Sequence, residues 1–285
     1  MSRFPALAAV VLGSVSIGAA RPASQELIVY WSEEPWPSIW AIHPDGSGKH
    51  RILRNRKNAK RPRLSYDRAW VAFDGAPPGK TPLSDFDVQI VRADGSGLRT
   101  LTRTPDWDTD AQWAPSGASL SFTRSPPSPR DCGGASIWIV RRDGTAPRRV
   151  APGCGARWSP DGKRLVYASR DGRQLLVTSV SGGRPRRLGP RVPNGFVQPA
   201  GWSRAGTILF TRWNGQTGYD ADVLVIDSDG THLRSRGSGY AAGWSPDGGR
   251  ILYTRSFSSA LYVMNADGSH ERLLVATQAA EPDWR

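Results

Sequence analysis

The strongest constraint on the fold is a stretch that the chain contains twice. RWSPDGKRLVYASR at 157–170 returns 86 residues later as GWSPDGGRILYTRS at 243–256. Ser-Pro-Asp-Gly suits a tight turn, since proline presets φ, aspartate bonds its own backbone and glycine accepts a positive φ. The apolar, β-favouring run after it predicts the second strand of a β-hairpin.

Weaker copies of this hairpin run through the whole chain. Its tryptophan position is filled by Leu64, Trp113, Trp158, Trp202, Trp244 and Trp284, at spacings of 49, 45, 44, 42 and 40 residues. A second hairpin follows in each copy, with Asp-Gly turns at 45–46, 94–95, 143–144, 229–230 and 267–268, and Ser-Gly-Gly at 181–183. A four-stranded unit of about 40–45 residues is the period of a β-propeller blade.

The sequence therefore predicts an all-β fold, a six-bladed β-propeller of four-stranded antiparallel blades. The last copy stops after one strand, and LIVYWS at 27–32 is a second strand without a first, so we expect the two termini to complete one blade. This closure would leave no open sheet edge in the ring. The predicted propeller spans 26–285, with blades at 62–102, 110–150, 155–188, 199–235, 241–274, and 280–285 joined to 26–53.

Residues 1–20 have the pattern of a secretory signal peptide. Arg3 precedes a short apolar core, and Gly18-Ala19-Ala20 offers small residues for cleavage. The alternative, an uncleaved anchor, is disfavoured because 15 apolar residues are short for a membrane span. We expect an exported protein, periplasmic or extracellular, with no transmembrane segment after signal removal.

The two cysteines, Cys132 and Cys154, flank the hairpin that turns at 143–144. Pairing across that turn places residues whose numbers sum to about 287 opposite each other, and these two sum to 286. In an oxidising compartment this predicts a disulfide worth about 3 kcal/mol. A redox or metal pair is the alternative, but the neighbouring sequence supplies no partners for it.

The formal charge of +13 comes mostly from arginine, and it is densest in RILRNRKNAKRPR at 51–63. Such a stretch could hold a polyanion or be a solvated surface. For an exported chain we expect an envelope protein or an acidic wall polymer as partner, and no nucleic acid. The candidate basic binding residues are Arg54, Arg56, Lys57 and Lys60.

The turns at one end of the strands are short and repetitive, whereas the predicted loops at the other end are long and all different. These loops lie at 33–38, 74–87, 103–110, 124–135, 189–199 and 212–222. Insertions that break a repeat on one face are typical of a binding face. The candidate binding residues there are Trp36, Phe86, Trp107, Asp108, Asp110, Phe196, Trp213 and Tyr219, which could equally be local packing residues.

No catalytic constellation is identifiable. The four histidines fall on separate blades, which disfavours a metal site, and no nucleophile elbow occurs. Residues just before the tryptophan position are expected to face the central channel: Arg63, Gln112, Arg157, Gly201, Gly243 and Asp283. We therefore expect a monomeric binding module without a cofactor. The alternative is a lyase or hydrolase acting on an acidic polysaccharide, which would gain if Asp108 or Asp110 reached an arginine-lined channel pocket.

ARWSPDGKRLVYAS and ALYVMNADGSHERLL resemble the WD40-like repeat of the TolB family, the periplasmic propeller component of the Tol–Pal envelope system. The resemblance covers 26–285 and implies a propeller fold and an envelope location. TolB carries an α/β domain before its propeller, whereas this sequence passes from the leader directly to a strand. The resemblance therefore implies a propeller-only relative.

Overall fold

The structure is a computed structural model that describes residues 26–33, 38–53, 59–76, 86–127, 132–214, 220–255, 260–276 and 279–285. These residues form six four-stranded antiparallel sheets, each with its strands in hairpin order. The strands, in chain order, are β1 (Ile28–Ser32), β2 (Ser38–Ile42), β3 (His50–Arg51), β4 (Lys60–Leu64), β5 (Trp70–Gly75), β6 (Asp87–Arg92), β7 (Arg99–Thr100), β8 (Trp107–Trp113), β9 (Ser119–Ser125), β10 (Ser136–Arg141), β11 (Arg148–Pro152), β12 (Cys154–Trp158), β13 (Arg164–Ala168), β14 (Leu175–Ser179), β15 (Arg186–Leu188), β16 (Gly195–Trp202), β17 (Thr207–Asn214), β18 (Ala221–Asp227), β19 (Arg234–Ser238), β20 (Tyr240–Trp244), β21 (Arg250–Thr254), β22 (Leu261–Asn265), β23 (Arg272–Val275) and β24 (Ala280–Trp284).

The predicted six-bladed propeller is confirmed. Blade 6 has the strand order β24-β1-β2-β3, so its inner strand comes from one end of the chain and its outer three from the other. Leu27 and Arg285 exchange two backbone hydrogen bonds of 2.8 and 3.0 Å at this junction. The six inner strands contact one another around a ring, and the closure predicted from the sequence thus joins the last blade to the first.

The Ser-Pro-Asp-Gly turns form as the sequence predicts. In blade 3, Ser159 Oγ donates to Asp161 Oδ1 at 2.5 Å, and the same carboxylate oxygen accepts the Lys163 N–H at 3.0 Å. Gly162 has a φ of 68°, which a glycine adopts without a steric penalty. The aspartates of these turns therefore satisfy the backbone.

The repeated tryptophan connects neighbouring blades. Trp113 Nε1 donates to the carbonyl of Arg63 at 3.0 Å, and Trp158 Nε1 donates to that of Gln112 at 3.1 Å. In each case the acceptor lies on the inner strand of the preceding blade. Both indoles are buried, so each contributes apolar contact as well as a hydrogen bond across the blade interface.

All six predicted loops overlap strands, which corrects those boundaries, and the overlap is largest in three of them. Strand β8 begins at Trp107 and takes up 107–110, β16 begins at Gly195, and β17 and β18 extend into both ends of 212–222. Trp107 pairs with Ser125 and Asp108 with Arg124 before the register shifts. The sequence repeat stops at this register shift, but the β8–β9 ladder continues beyond it to Trp107. Because the repeat stops there, the sequence predicted a loop where the strand continues.

The disulfide between Cys132 and Cys154 is present, with 5.4 Å between the Cα atoms. Cys154 is the first residue of β12, so the bond joins the segment before β10 in blade 2 to the inner strand of blade 3. Within the described part of the chain, no helix is long and apolar enough to cross a membrane.

Candidate functional site

A β-bulge interrupts every inner strand about three residues before the tryptophan position. Register shifts occur between Thr109 and Gln112 in β8, and between Cys154 and Arg157 in β12, with equivalents in the other four blades. A bulge locally bends a strand and redirects a side chain. The residues three before the tryptophan position are Arg61, Asp110, Gly155, Pro199, Ala241 and Glu281. In blades 4 and 5 the residue at this position keeps its strand partner, and the unpaired residues are the next ones, Ala200 and Ala242.

Three adjacent blades place a charged residue at the bulge. Glu281, Arg61 and Asp110 have φ values of 54°, 50° and 54°, in the left-handed region that disfavours residues with a Cβ. Such backbone conformations are retained only where the surroundings hold them, and they cluster at functional sites. Blades 3, 4 and 5 carry glycine, proline and alanine here, so the charged residues at this position lie on blades 6, 1 and 2.

Glycine also replaces the larger side chains at the next channel position on blades 4 and 5. A Cβ added to Gly243 would meet no atom within 4 Å, so the space beside this residue is open. The corresponding residues of blades 1 and 3 are Arg63 and Arg157, both buried. The channel is therefore open along blade 5 and filled by guanidinium groups along blades 1 and 3.

Asp110 is the centre of the charged side. Its carboxylate lies 2.8 Å from Arg157 Nη1 and 3.7 Å from Arg63 Nη2, and it accepts a 3.1 Å hydrogen bond from Gln112 Nε2. Burial opposes ionisation, but the Arg157 and Arg63 guanidinium groups outweigh it and lower the pKa of Asp110. Asp110 is therefore an ionised, fully bonded carboxylate.

Arg61 connects Asp110 to a second buried acid. Its Nη1 donates to Asp74 Oδ2 at 2.7 Å, its Nε lies 3.3 Å from Glu281 Oε1, and Asp74 Oδ2 also accepts the Asp110 N–H at 3.0 Å. Burial raises the pKa of Asp74 to about 6, although Arg61 acts in the opposite direction. Asp74 is completely buried, so solvent does not reach it directly.

A funnel of about 340 Å³ opens at the long-loop end of the channel, between blades 1 and 4. It brings together three of the predicted binding residues, Asp110, Phe196 and Trp213, and its wall includes the disulfide. The rings of Phe196 and Trp213 meet edge to face with centroids 6.0 Å apart, and Tyr240 follows 6.3 Å from Trp213. We use the name funnel for this opening, whose lining includes Asp110, Phe196, Gln198 and Trp213.

Other predicted residues lie elsewhere. Phe86 and Trp107 form a separate edge-to-face pair at 5.3 Å. Asp108 is completely buried and is bonded by Arg124 Nε at 2.7 Å and Nη2 at 2.8 Å, so it is a packing residue. Lys60 lies 5.8 Å from the Trp31 ring. Trp36, Arg54, Arg56, Lys57 and Tyr219 lie outside the described residues.

Among the described residues of the basic stretch 51–63, the arginines lie on two different blades. Arg51 belongs to the outermost strand of blade 6, whereas Arg61 and Arg63 belong to the inner strand of blade 1 and pair with channel carboxylates. Arg51 therefore lies at the outer edge of the propeller, whereas Arg61 and Arg63 lie at its central channel.

The sequence prediction missed Arg61, Asp74 and Glu281. A signal for two of them existed, because Arg61 and Glu281 occupy the same repeat position as Asp110, three residues before the tryptophan position. Comparing that column across the six copies reveals charge on three consecutive blades. Asp74 has no such signal, since its role depends on a contact between blades.

The comparisons with known proteins agree with this architecture. The chain is 29% identical over 154 residues to a protein TolB homolog of Chlorobium luteolum, a match that covers 52% of the chain and 33% of the relative. The chain thus matches about a third of the length of that curated relative. No protein-family model matches the sequence.

Among solved structures, TolB from Acinetobacter baumannii superimposes with a TM-score of 0.75 at 18% identity, covering 92% of this chain and 67% of that one. A chain of a nidogen/laminin complex superimposes with a TM-score of 0.67 at 14% identity, covering 91% and 97% respectively. At these identities the structural likeness shows the fold alone.

Six blades closed into a ring around an asymmetrically charged channel define a β-propeller. Its repeat motifs and its similarity to the Chlorobium and Acinetobacter proteins make it a TolB-like propeller.

Proposed function

We propose that this protein is an exported propeller that binds an envelope protein, and that an extended segment of that partner enters the funnel. The observation that carries the proposal is the meeting of Phe196, Trp213 and Asp110 at one concave opening. Aromatic side chains held rigidly at a pocket rim are typical anchors of protein interfaces. A pocket of this volume suits a few side chains of a partner.

Export rests on the leader pattern at 1–20 and on the likeness to the TolB proteins. The leader lies outside the described residues, and the periplasm is the compartment that the family resemblance implies. An oxidising compartment also suits the disulfide in the funnel wall.

The charge arrangement favours recognition over proton transfer. Asp110 reaches an arginine-lined pocket, which is the arrangement that would support an enzyme. However, its lowered pKa keeps it ionised, and its two oxygens already accept hydrogen bonds from Arg157 and Gln112. Asp74 has a pKa suited to proton transfer, but it is buried behind Arg61. Neither acid is placed to reach a bound substrate as a general acid.

Capture from an envelope extract tests the proposal. The purified protein is immobilised beside two variants, Trp213→Ala and Gln198→Trp. Gln198 lines the funnel and is exposed, so Gln198→Trp fills the opening without disturbing the core. Phe86→Ala is the matched control, because it removes an aromatic ring of the long-loop end that lies outside the funnel.

We expect a defined protein to be retained by the wild type and by Phe86→Ala, and to be lost from both funnel variants. Retention by Gln198→Trp at the wild-type level would contradict a site in the funnel. If the ligand captured is an acidic wall polymer instead of a protein, the funnel keeps its role but the partner class in the proposal is wrong.

The approach of Asp110 to Arg61, Arg63 and Arg157 supports one alternative, a lyase acting on an acidic polysaccharide. Incubation with polygalacturonate, followed by ultraviolet absorbance of unsaturated products, tests it. Product formation that is abolished by Asp110→Asn would establish the enzyme and overturn the binding proposal.

A further inference from the structure

Blade 1 departs from the repeat on the face opposite the funnel, where the Ser-Pro-Asp-Gly turns lie. The stretch SYDRAW at 65–70 replaces SPDGKR at 159–164 and SPDGGR at 245–250. Trp70 thus occupies the position of Arg164 and Arg250. At this position blade 1 therefore has an aromatic ring where blades 3 and 5 have a cation.

In blades 3 and 5 this arginine has a structural role, whereas blades 2 and 4 carry Ser119 and Thr207 at the position. The Arg164 guanidinium lies 4.9 Å from the ring centre of Trp202 on the next blade, and Arg250 lies 4.6 Å from Trp284. Each interaction uses one cation and one ring to join two blades. Trp70 cannot supply that cation, yet it still packs against the core cluster between blades 1 and 2.

Three arginines gather around Trp70 instead. Their guanidinium carbons lie 4.9 Å (Arg92), 5.1 Å (Arg99) and 5.9 Å (Arg142) from the indole centre. Arg92 is directly opposite Trp70 in the β5–β6 ladder, Arg99 lies on the outer strand β7, and Arg142 comes from blade 2. Two blades therefore deliver positive charge to one ring.

These charges are not neutralised by ion pairs. All three arginines are exposed, and none forms a side-chain hydrogen bond or salt bridge with another described residue. Two acids interact with these cations without forming ion pairs. Arg92 adds to the lowering of the pKa of Asp94, which is due mainly to hydrogen bonds from Ser96, and Arg142 adds to that of Asp67, where bonds from Ser65 and the Ala69 N–H overcome burial. Asp67 Oδ1 accepts both of the latter bonds, at 2.5 and 3.0 Å.

Exposed arginines without a side-chain partner among the described residues occur elsewhere, as at Arg148 and Arg149 of blade 2, but in the described part of the chain three of them surround one ring only at Trp70. On three other blades an outer-strand arginine reaches the turn of the next blade: Arg186 donates to the Asp229 carbonyl at 3.0 Å, Arg236 donates to that of Ala266 at 2.7 Å, and Arg272 bonds that of Pro44. Arg99 is the blade 1 member of this set, and it lies over Trp70 instead.

We propose that Trp70, Arg92, Arg99 and Arg142 form a binding site for the phosphate groups of a phosphate-bearing polymer, on the opposite face of the propeller from the funnel. Guanidinium groups bind phosphate oxygens with paired hydrogen bonds. Three guanidinium groups offer more N–H donors than the two oxygens of one carboxylate can accept, so a polymer with several phosphate groups suits the site better. The indole holds the guanidinium planes in position, which lowers the entropy lost when an anion binds. The bound anion also relieves repulsion between the three cations.

Calorimetric titration with a short polyphosphate chain tests the site. The purified protein is compared with Arg92→Gln/Arg99→Gln and with Trp70→Arg, which introduces the residue that blades 3 and 5 carry at this position. The matched control is Arg148→Gln/Arg149→Gln, because these exposed outer-strand arginines of blade 2 remove the same charge away from Trp70.

We expect polyphosphate affinity to fall at least tenfold in Arg92→Gln/Arg99→Gln and at most about threefold in the control pair. Equal losses in the two pairs would assign binding to general surface charge and overturn the site, as would no binding by the wild type. Trp70→Arg keeps the charge and is expected to weaken binding because it removes the platform; unchanged affinity would overturn the role of the indole.

A parallel sedimentation with phosphatidylglycerol vesicles identifies the source of the phosphate. Binding to soluble polyphosphate but not to vesicles supports the polymer, whereas selective binding to vesicles would contradict it and assign the phosphate to a lipid surface. Neither result depends on the funnel, so this site and the proposed function fail independently.

Discussion

The Asp110 carboxylate is predicted to stabilise the channel by several kilocalories per mole, and Asp110→Asn measures this contribution. The substitution keeps the size of the side chain, and asparagine tolerates the left-handed backbone at φ 54° as well as aspartate does. It removes the charge that neutralises Arg157 at 2.8 Å and Arg63 at 3.7 Å, both buried. Breaking a buried ion pair costs about 3–5 kcal/mol, and a remaining amide acceptor places this variant near 3 kcal/mol.

Urea unfolding followed by tryptophan fluorescence provides the measurement. With an m value of about 3 kcal/mol per molar for a chain of this size, the midpoint is expected to fall by about 1 M. Asp171→Asn is the control, since its partner Arg191 is 54% exposed and the loss of a surface pair costs at most about 1 kcal/mol. Equal small shifts in the two variants would refute the idea that Asp110 holds the channel arginines.

Three further predictions concern the disulfide, an acid and a tryptophan. Replacing Cys132 and Cys154 by serine is expected to lower the free energy of unfolding by about 3 kcal/mol, because the bond closes a loop of 22 residues; a loss below about 1 kcal/mol in thermal or urea unfolding would contradict this. Since the folded pKa of Asp74 is raised to about 6, its contribution to stability is present below its unfolded pKa and is lost as pH rises through 6. The wild type should therefore lose up to about 3 kcal/mol relative to Asp74→Asn between pH 4 and pH 7, and a constant difference across that range would be the opposing result. Trp158→Phe removes an interblade hydrogen bond and should cost about 1–3 kcal/mol more than Trp244→Phe, whose indole N–H has no partner among the described residues; equal melting temperatures would count against the bond.

The repeat made the architecture predictable. Trp158 contacts the preceding blade, and residues 159–162 form the turn of its own hairpin, so one motif specifies both a blade interface and a local turn. The number of blades and the closing strand therefore followed from counting copies of the motif. The disulfide was predictable for a related reason, because Cys132 and Cys154 flank a hairpin whose register is set by its turn. These features depend on local chemistry repeated at a fixed period.

The charged network was less accessible to sequence reasoning. Asp110 was identified, but as a loop residue near exposed aromatics, because the repeat pattern breaks at the bulge that turns its side chain inward. Asp74 and Arg61 meet only when two blades pack together. Phe196 and Trp213 line the funnel, whereas Asp108, which has the same local appearance in the sequence, is completely buried and bonded by Arg124. Phe196 and Trp213 differ from Asp108 in how far they are buried. Burial depends on how neighbouring blades pack, so it could not be inferred from the local sequence.

The most direct test of the funnel as the binding site is site-specific photo-crosslinking in an envelope extract. A benzophenone amino acid is placed either at Gln198, which lines the funnel, or at Lys163, which is exposed on the turn after Asp161 at the other end of the strands. We expect a discrete protein adduct from position 198 that is absent from position 163. An adduct from position 163 alone would place the partner on the opposite face and contradict a binding site in the funnel.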